Sequence, residues 1–320
     1  MKNYCITIIL SFLVHPVYCW GFYSHKLINQ YAVYLLPPEM MVLYKPNIAF
    51  ITEHAVDPDK RRYAVVEEGP RHYIDLDHYR PWDSIPALYA AALVKYTEDS
   101  LQKHGIAPWW IQTMVGRLTR AFEQKDKFRI IKLSAELGHY VADIHVPLHA
   151  NSNHNGQYTN QQGIHGFWES RIPELLAEKQ FDFIIGKAVY VNSVSELAWN
   201  AARQSAASAD TVLRLERELT AKFRADSKYS FELRNGIIIR QYSASFSYAY
   251  HEMLNGMVER RMRQSILAVA SLWYTAWVNA GQPELTGMAN RSYSEQELKE
   301  WDELNAPYLQ NLIKGRSCAN

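Results

Sequence analysis

Residues 130–149 read Ile130-Ile131-Lys132-Leu133-Ser134-Ala135-Glu136-Leu137-Gly138-His139-Tyr140-Val141-Ala142-Asp143-Ile144-His145-Val146-Pro147-Leu148-His149. Within them Ile130, Ile131, Leu133, Leu137, Tyr140, Val141 and Ile144 recur at three- and four-residue steps, the period of an amphipathic helix. Pro147, which lacks an amide hydrogen, stops the pattern. The helical pattern here spans 128–144, and the same period runs through 26–36, 86–103, 108–123, 168–179, 193–223 and 240–280. In the last of these, Leu254, Val258, Met262, Ile266, Val269, Ala270, Trp273 and Trp277 form one stripe, which reads as helix core. Strand-like alternation is confined to short pieces, 183–191 and 236–239, and the Gly/Asn/Gln-rich segment 151–163 reads as a loop. There is no internal repeat, low-complexity tract or long linker. The expectation is an all-α protein, one compact multi-helix domain spanning 20–320.

Residues 1–19 carry a single charge, Lys2, followed by the apolar run 5–14, too short to span a bilayer as a helix. His15 and Pro16 break the run, and Val17 and Cys19 suit the positions three and one before a cut, so 1–19 reads as a secretory signal removed before Trp20. A lipid-bearing Cys19 is the weaker alternative, because residues 15–18 do not resemble a lipobox. The expected location is secreted or periplasmic. Of 34 basic residues, removal of Lys2 leaves 33 against 33 acidic ones, so no global field draws the chain to polyanions. Cys5 and Cys19 leave with the signal, Cys318 stands alone, and no internal disulfide framework can form.

Twelve histidines carry little meaning singly, but their spacing does. His139 and Asp143 stand one helical turn apart on one face. His149 follows Pro147, and His165 with Glu169 repeats the four-residue step. Either pair alone is as readily a surface salt bridge as a ligand pair. Two within about thirty residues point to a metal.

At these positions the chain resembles the zinc-dependent phospholipase C and single-strand-specific zinc nuclease superfamily. The resemblance covers 20–169; the remainder, 170–320, reads only as helices. It rests on Trp20, His25, Asp57, His72, His139, Asp143, His149, His165 and Glu169 in that order, and on the contexts His54-Ala55-Val56-Asp57-Pro58-Asp59 and Arg71-His72-Tyr73-Ile74-Asp75. It implies a cleft holding three zinc ions. Asp57, His72, His139 and Asp143 would hold one. The terminal amine and carbonyl of Trp20, with His25 and a bridging Asp143, would hold the second, and His149, His165 and Glu169 the third, with positions left open. Asp59 rivals Asp57; the fifteen-residue step from Asp57 to His72 matches the nuclease branch. Six positive charges against the carboxylates of Asp57, Asp143 and Glu169 leave roughly plus three to attract a phosphodiester. The implied chemistry is attack on phosphorus by a metal-activated hydroxide, with Asp57 and Asp143 as the catalytic carboxylates.

The implied substrate is a phospholipid headgroup or single-stranded nucleic acid, with peripheral membrane contact in the first case and no stable protein partner. Glu169 in the last position and the sixteen-residue step from His149 to His165 resemble the phospholipase branch, whereas residues 143–149 resemble the nuclease phrase. Tyr23, Tyr73, Tyr140 and Trp168 could stack a base or enclose a choline group, although ordinary helix packing explains most of them. A neutral chain without cysteine pairs tilts the expectation to phospholipase C. The alternatives are a nuclease releasing 5′-nucleotides and a non-catalytic helical binding protein with a degenerate metal site.

Overall fold

The computed structural model describes residues 21–302, Asn235 excepted. The chain is mostly helical, and its one sheet among the described residues is a two-stranded hairpin. The first helices are α1 (Phe22–Val33), α2 (Pro38–Tyr44), α3 (Ile48–Glu53) and α4 (Asp57–Arg61). A 3-10 segment (Val66–His72) leads to α5 (Tyr89–Tyr96) and α6 (Glu98–His104). The long pair α7 (Ala107–Glu123) and α8 (Lys127–Asp143) precedes a 3-10 turn (Pro147–Ala150). A single helical rod follows, made of α9 (Ile164–Gly166), a π turn (Phe167–Arg171) and α10 (Ile172–Gln180). The remaining elements are α11 (Val194–Lys222), strands β1 (Tyr229–Arg234) and β2 (Ile237–Tyr242), α12 (Ala244–Met253), α13 (Met257–Asn279), α14 (Thr286–Ala289) and α15 (Glu295–Asp302).

α8 begins where the Asp126 side chain accepts from the Arg129 amide, a capping bond that satisfies one of the free first-turn donors. Ser193 does the same for α11 through the Glu196 amide. α13 buries Val258, Met262, Ile266, Val269 and Trp273 completely, and the Trp273 indole donates to the Ser134 carbonyl of α8 at 2.9 Å. Truncating such a tryptophan to alanine costs about 3–5 kcal/mol.

The expected helix over 240–280 is in fact two helices and part of a strand. Asn255 (φ 49°) and Gly256 (φ 70°) turn left-handed between α12 and α13, and residues 240–242 belong to β2. Similarly, Thr97 (φ 63°) divides 86–103 into α5 and α6. Residues 183–191 pair with no strand, because side chains meet their amides instead: Val189 donates to Ser271 Oγ and Val191 to Thr275 Oγ1.

The C-terminal half braces the turn that links α8 to His149. Buried Arg261 of α13 donates to the His145 carbonyl at 2.7 Å and to the Ala201 carbonyl at 3.1 Å, and Ser205 of α11 donates to the Ile144 carbonyl at 2.6 Å. No helix among the described residues is long and apolar enough to cross a membrane.

Candidate metal centre

The last turn of α8 delivers His139 and Asp143, both buried. Asp143 divides its oxygens between two neighbourhoods. Its Oδ2 lies 2.9 Å from His72 Nδ1 and 3.2 Å from His139 Nε2. Its Oδ1 lies 3.4 Å from His25 Nε2 and 3.7 Å from His149 Nε2. Asp59 Oδ1 joins the first group, 3.7 Å from His139 Nε2 and 3.8 Å from His72 Nδ1. Beyond His149, Glu169 Oε2 stands 3.0 Å from His165 Nε2 and 3.5 Å from His149 Nε2. Three sets of donors therefore gather, each within 4.8 Å: His25, Asp59 and His139; His72, His139 and Asp143; His149, His165 and Glu169.

Close approach of α1 to α8 brings His25 in, its ring stacked on His139 at 3.9 Å. Gly138 permits this. A Cβ there would stand 1.9 Å from Asn29 Oδ1, and the Asn29 amide is tied to the carbonyls of Ala135 and Ile51. The π turn carries Glu169, and the entry of α1 is fastened to it: Gly21 N donates to Ser170 Oγ at 2.7 Å and Ser24 Oγ to the Glu169 carbonyl at 2.9 Å.

Backbone carbonyls orient three of the imidazoles. The Nδ1–H of His139 donates to Ala55, that of His149 to His72 and that of His165 to His154, at 2.8, 2.7 and 3.0 Å. This pattern assigns the lone pair to Nε2, the atom facing the carboxylates, as metal-binding histidines require. His149 Nε2 and Asp59 Oδ2 are buried without a hydrogen-bond partner among the described residues. A buried polar atom left so is costly, and a cation in the group to which each belongs would satisfy it. Imidazole and carboxylate donors with no thiolate suit a divalent metal. The buried groups fit a metal ion.

Burial alone would raise the Asp143 carboxyl, but His139 and His149 hold it well below the usual range. Burial would lower His139, yet the Asp143 and Asp59 carboxylates raise it to about 9. Burial pushes the Glu169 carboxyl up to about 7 despite His149, and pushes His25 and His149 down. Burial opposes the charges of Asp143 and His139, and attraction between the carboxylates and the imidazoles around them outweighs it.

The expected ligand Asp57 faces elsewhere. Its Oδ2 lies 2.6 Å from His54 Nδ1 and its Oδ1 accepts from Lys60 at 3.2 Å, while Asp59 reaches the histidines. Residues two apart on a helical turn project to different sides, so only one of these aspartates can face the cluster. Trp20, the segment 1–19 expected to be a signal, and Cys318 lie outside the described residues. One buried participant was absent from the expected set: Glu68, whose Oε1 stands 3.5 Å from His72 Nε2 and which also accepts from the Tyr140 hydroxyl. Burial opposes its ionisation, but His72, Arg61 and Arg71 hold its carboxyl far below the usual range. It stands four residues before His72, the spacing that marks the other two pairs, and that was the available signal. No protein-family model matches the chain, and no curated protein matches it.

Proposed function

We propose that this chain is a zinc-dependent phosphodiester hydrolase of phospholipase C type. The observation that carries the reading is the division of Asp143 between His72 and His139 on one side and His25 and His149 on the other, a single carboxylate shared by adjacent metal positions. Asp59, His72, His139 and Asp143 would hold one zinc, His25 and Asp143 with the amino terminus of a chain cut before Trp20 a second, and His149, His165 and Glu169 a third. Bound zinc supplies acidified water and polarises a phosphoryl oxygen.

The chain's own contribution is placement and charge. Asp143, kept ionised by its neighbours, fixes the spacing of the two groups of imidazoles. The carbonyls of Ala55, His72 and His154 lock three rings, so no ring must turn when a ligand arrives. Glu68 orients His72 from behind.

A lipid substrate is favoured by the hairpin. Leu233 pairs with Ile238 and Phe231 with Arg240, so these four side chains share one face, and Phe231, Leu233 and Ile238 are 73 %, 72 % and 69 % exposed. The polar Glu232 and Gln241 point the other way, toward the body, an inversion of the usual pattern that suits a membrane surface. Arg171, two residues after Glu169, donates to the Tyr242 carbonyl and to Glu232, and Phe167 stacks on Tyr242 at 3.8 Å. The apolar face is thereby tied to the ligand-bearing turn.

The test is parallel assay of the zinc-loaded protein on phosphatidylcholine vesicles, bis-nitrophenyl phosphate and single-stranded DNA. Diacylglycerol release exceeding nucleotide release is expected. Preferred release of 5′-nucleotides would make it a nuclease, and zinc binding without turnover of any substrate would leave a binding protein.

A further inference from the structure

A second charged site lies on the opposite side of Glu68 from His72. Six basic side chains, Arg61, Arg71, Arg117, Arg120, Arg129 and Lys132, line a cleft of about 520 Å³ between α7 and α8, with Trp110 among them and only Glu136 and Glu300 as acids. The volume lies in the range of small-ligand sites. On a chain with nearly balanced charge, such a concentration is local and needs a cause.

Four of the six cations have carboxylate partners: Arg61 with Glu68 and Glu136, Arg71 with Glu68, Arg129 with Asp126 and Lys132 with Glu300. Arg117 and Arg120 form no ion pair among the described residues. Each lies three residues from another on α7, and Arg129 and Lys132 repeat the step on α8. Like charges at this spacing repel, and neutralisation by an anion between the two helices would relieve both pairs.

The indole narrows the choice of anion. The guanidinium of Arg71 lies 4.0 Å from the centre of the Trp110 ring and that of Arg117 4.7 Å, so the ring holds cations in place and offers them, rather than itself, to a ligand. A nucleic acid strand would use aromatic faces for its bases. A strand leading from here to the metal centre would also meet the buried carboxylate of Glu68, which touches Arg61 and Arg71 on one side and His72 on the other. We infer that this cleft is a binding site for a compact anion bearing two or more phosphate groups, recognised by the Arg117 and Arg120 guanidiniums with Arg71 held against Trp110. This site would take its anion whether or not the metal centre hydrolyses anything.

Inorganic pyrophosphate titrated calorimetrically into the metal-free full-length protein is the probe, since no bound metal can then be chelated. Saturable binding is expected that weakens with added salt and weakens at least tenfold in the double variant Arg117→Gln/Arg120→Gln. Both arginines are exposed, and an unchanged unfolding midpoint would verify that the variant folds. His165→Asn should bind as the parent does. Equal affinity in the arginine variant, or loss of binding in His165→Asn, would overturn the assignment and place the anion at the metal centre. Single-stranded DNA binding in preference to pyrophosphate, with the same arginine dependence, would equally overturn it.

Discussion

His149 Nε2 lies 3.7 Å from Asp143 Oδ1, although the first lies in the 3-10 turn that Pro147 begins and the second ends a helix. Through this contact the His149–His165–Glu169 group and the His72–His139 group share a border, and one carboxylate touches both. Asp143→Asn should therefore release more zinc per chain than His25→Ala or Glu169→Gln, and reduce phosphodiesterase activity at least roughly a hundredfold. Elemental analysis beside an assay on bis-nitrophenyl phosphate decides it. Full zinc content in the Asn variant would remove Asp143 from its shared role.

The two aspartates of α4 predict opposite results. Asp59→Asn should lower zinc content, because Asp59 Oδ1 faces His72 and His139, whereas Asp57→Asn should retain it, because Asp57 is engaged by His54 and Lys60. Metal content measured on both variants side by side is sufficient. Loss confined to Asp57→Asn would restore the assignment suggested by spacing to His72.

Gly138→Ala tests how the centre is assembled. Its new Cβ would collide with Asn29 Oδ1, whose side chain is buried and held by two carbonyls, so α1 must retreat from α8. A stability loss of about 2 kcal/mol is expected, with a fall in zinc stoichiometry as His25 withdraws from His139. A chemical denaturation midpoint equal to the parent's would show that Asn29 yields instead.

An α-amine exists only at the start of a chain, which makes Trp20 a direct test of the proposed second zinc. Protein cut before Trp20 should bind more zinc and hydrolyse more substrate than protein beginning Met-Trp20, where that nitrogen is an amide. Identical stoichiometry and rates would leave His25 and the side-chain donors alone.

His145 predicts a pH dependence of stability. Burial, then the neighbouring Arg261, lowers its imidazole to about 3, below the ordinary 6.5. The unfolded chain binds the proton more readily, so this contribution to stability is complete above pH 6.5 and declines as pH falls toward 3. In metal-free protein the gap between parent and His145→Asn should narrow by about 2 kcal/mol from pH 7.5 to pH 5, read from urea midpoints. A constant gap would mean that His145 takes up a proton without penalty.

What could be read along the chain was local. α7, α8 and α11 begin and end within a residue or so of their periodic patterns, because each buries one continuous stripe. The break between α12 and α13 was hidden by Leu254 and Val258, both buried, which keep the apolar spacing in phase across it. The Asn255-Gly256 dipeptide was the cue. In the centre, His139 with Asp143 and His165 with Glu169 meet because four residues make about one turn. The choice between Asp57 and Asp59 depends on where His54 lies, and the part played by Glu68 depends on Arg61, Arg71 and Tyr140; neither follows from spacing along one helix.

Glu68 belongs to two circuits at once, accepting from Arg61 and Arg71 on one side and facing His72 Nε2 on the other. Linkage makes such an arrangement symmetrical: any anion that loosens the arginines' hold on this carboxylate alters its grip on His72, and the factor by which the anion changes zinc affinity must equal the factor by which zinc changes anion affinity. Glu68→Gln should bring both factors toward one.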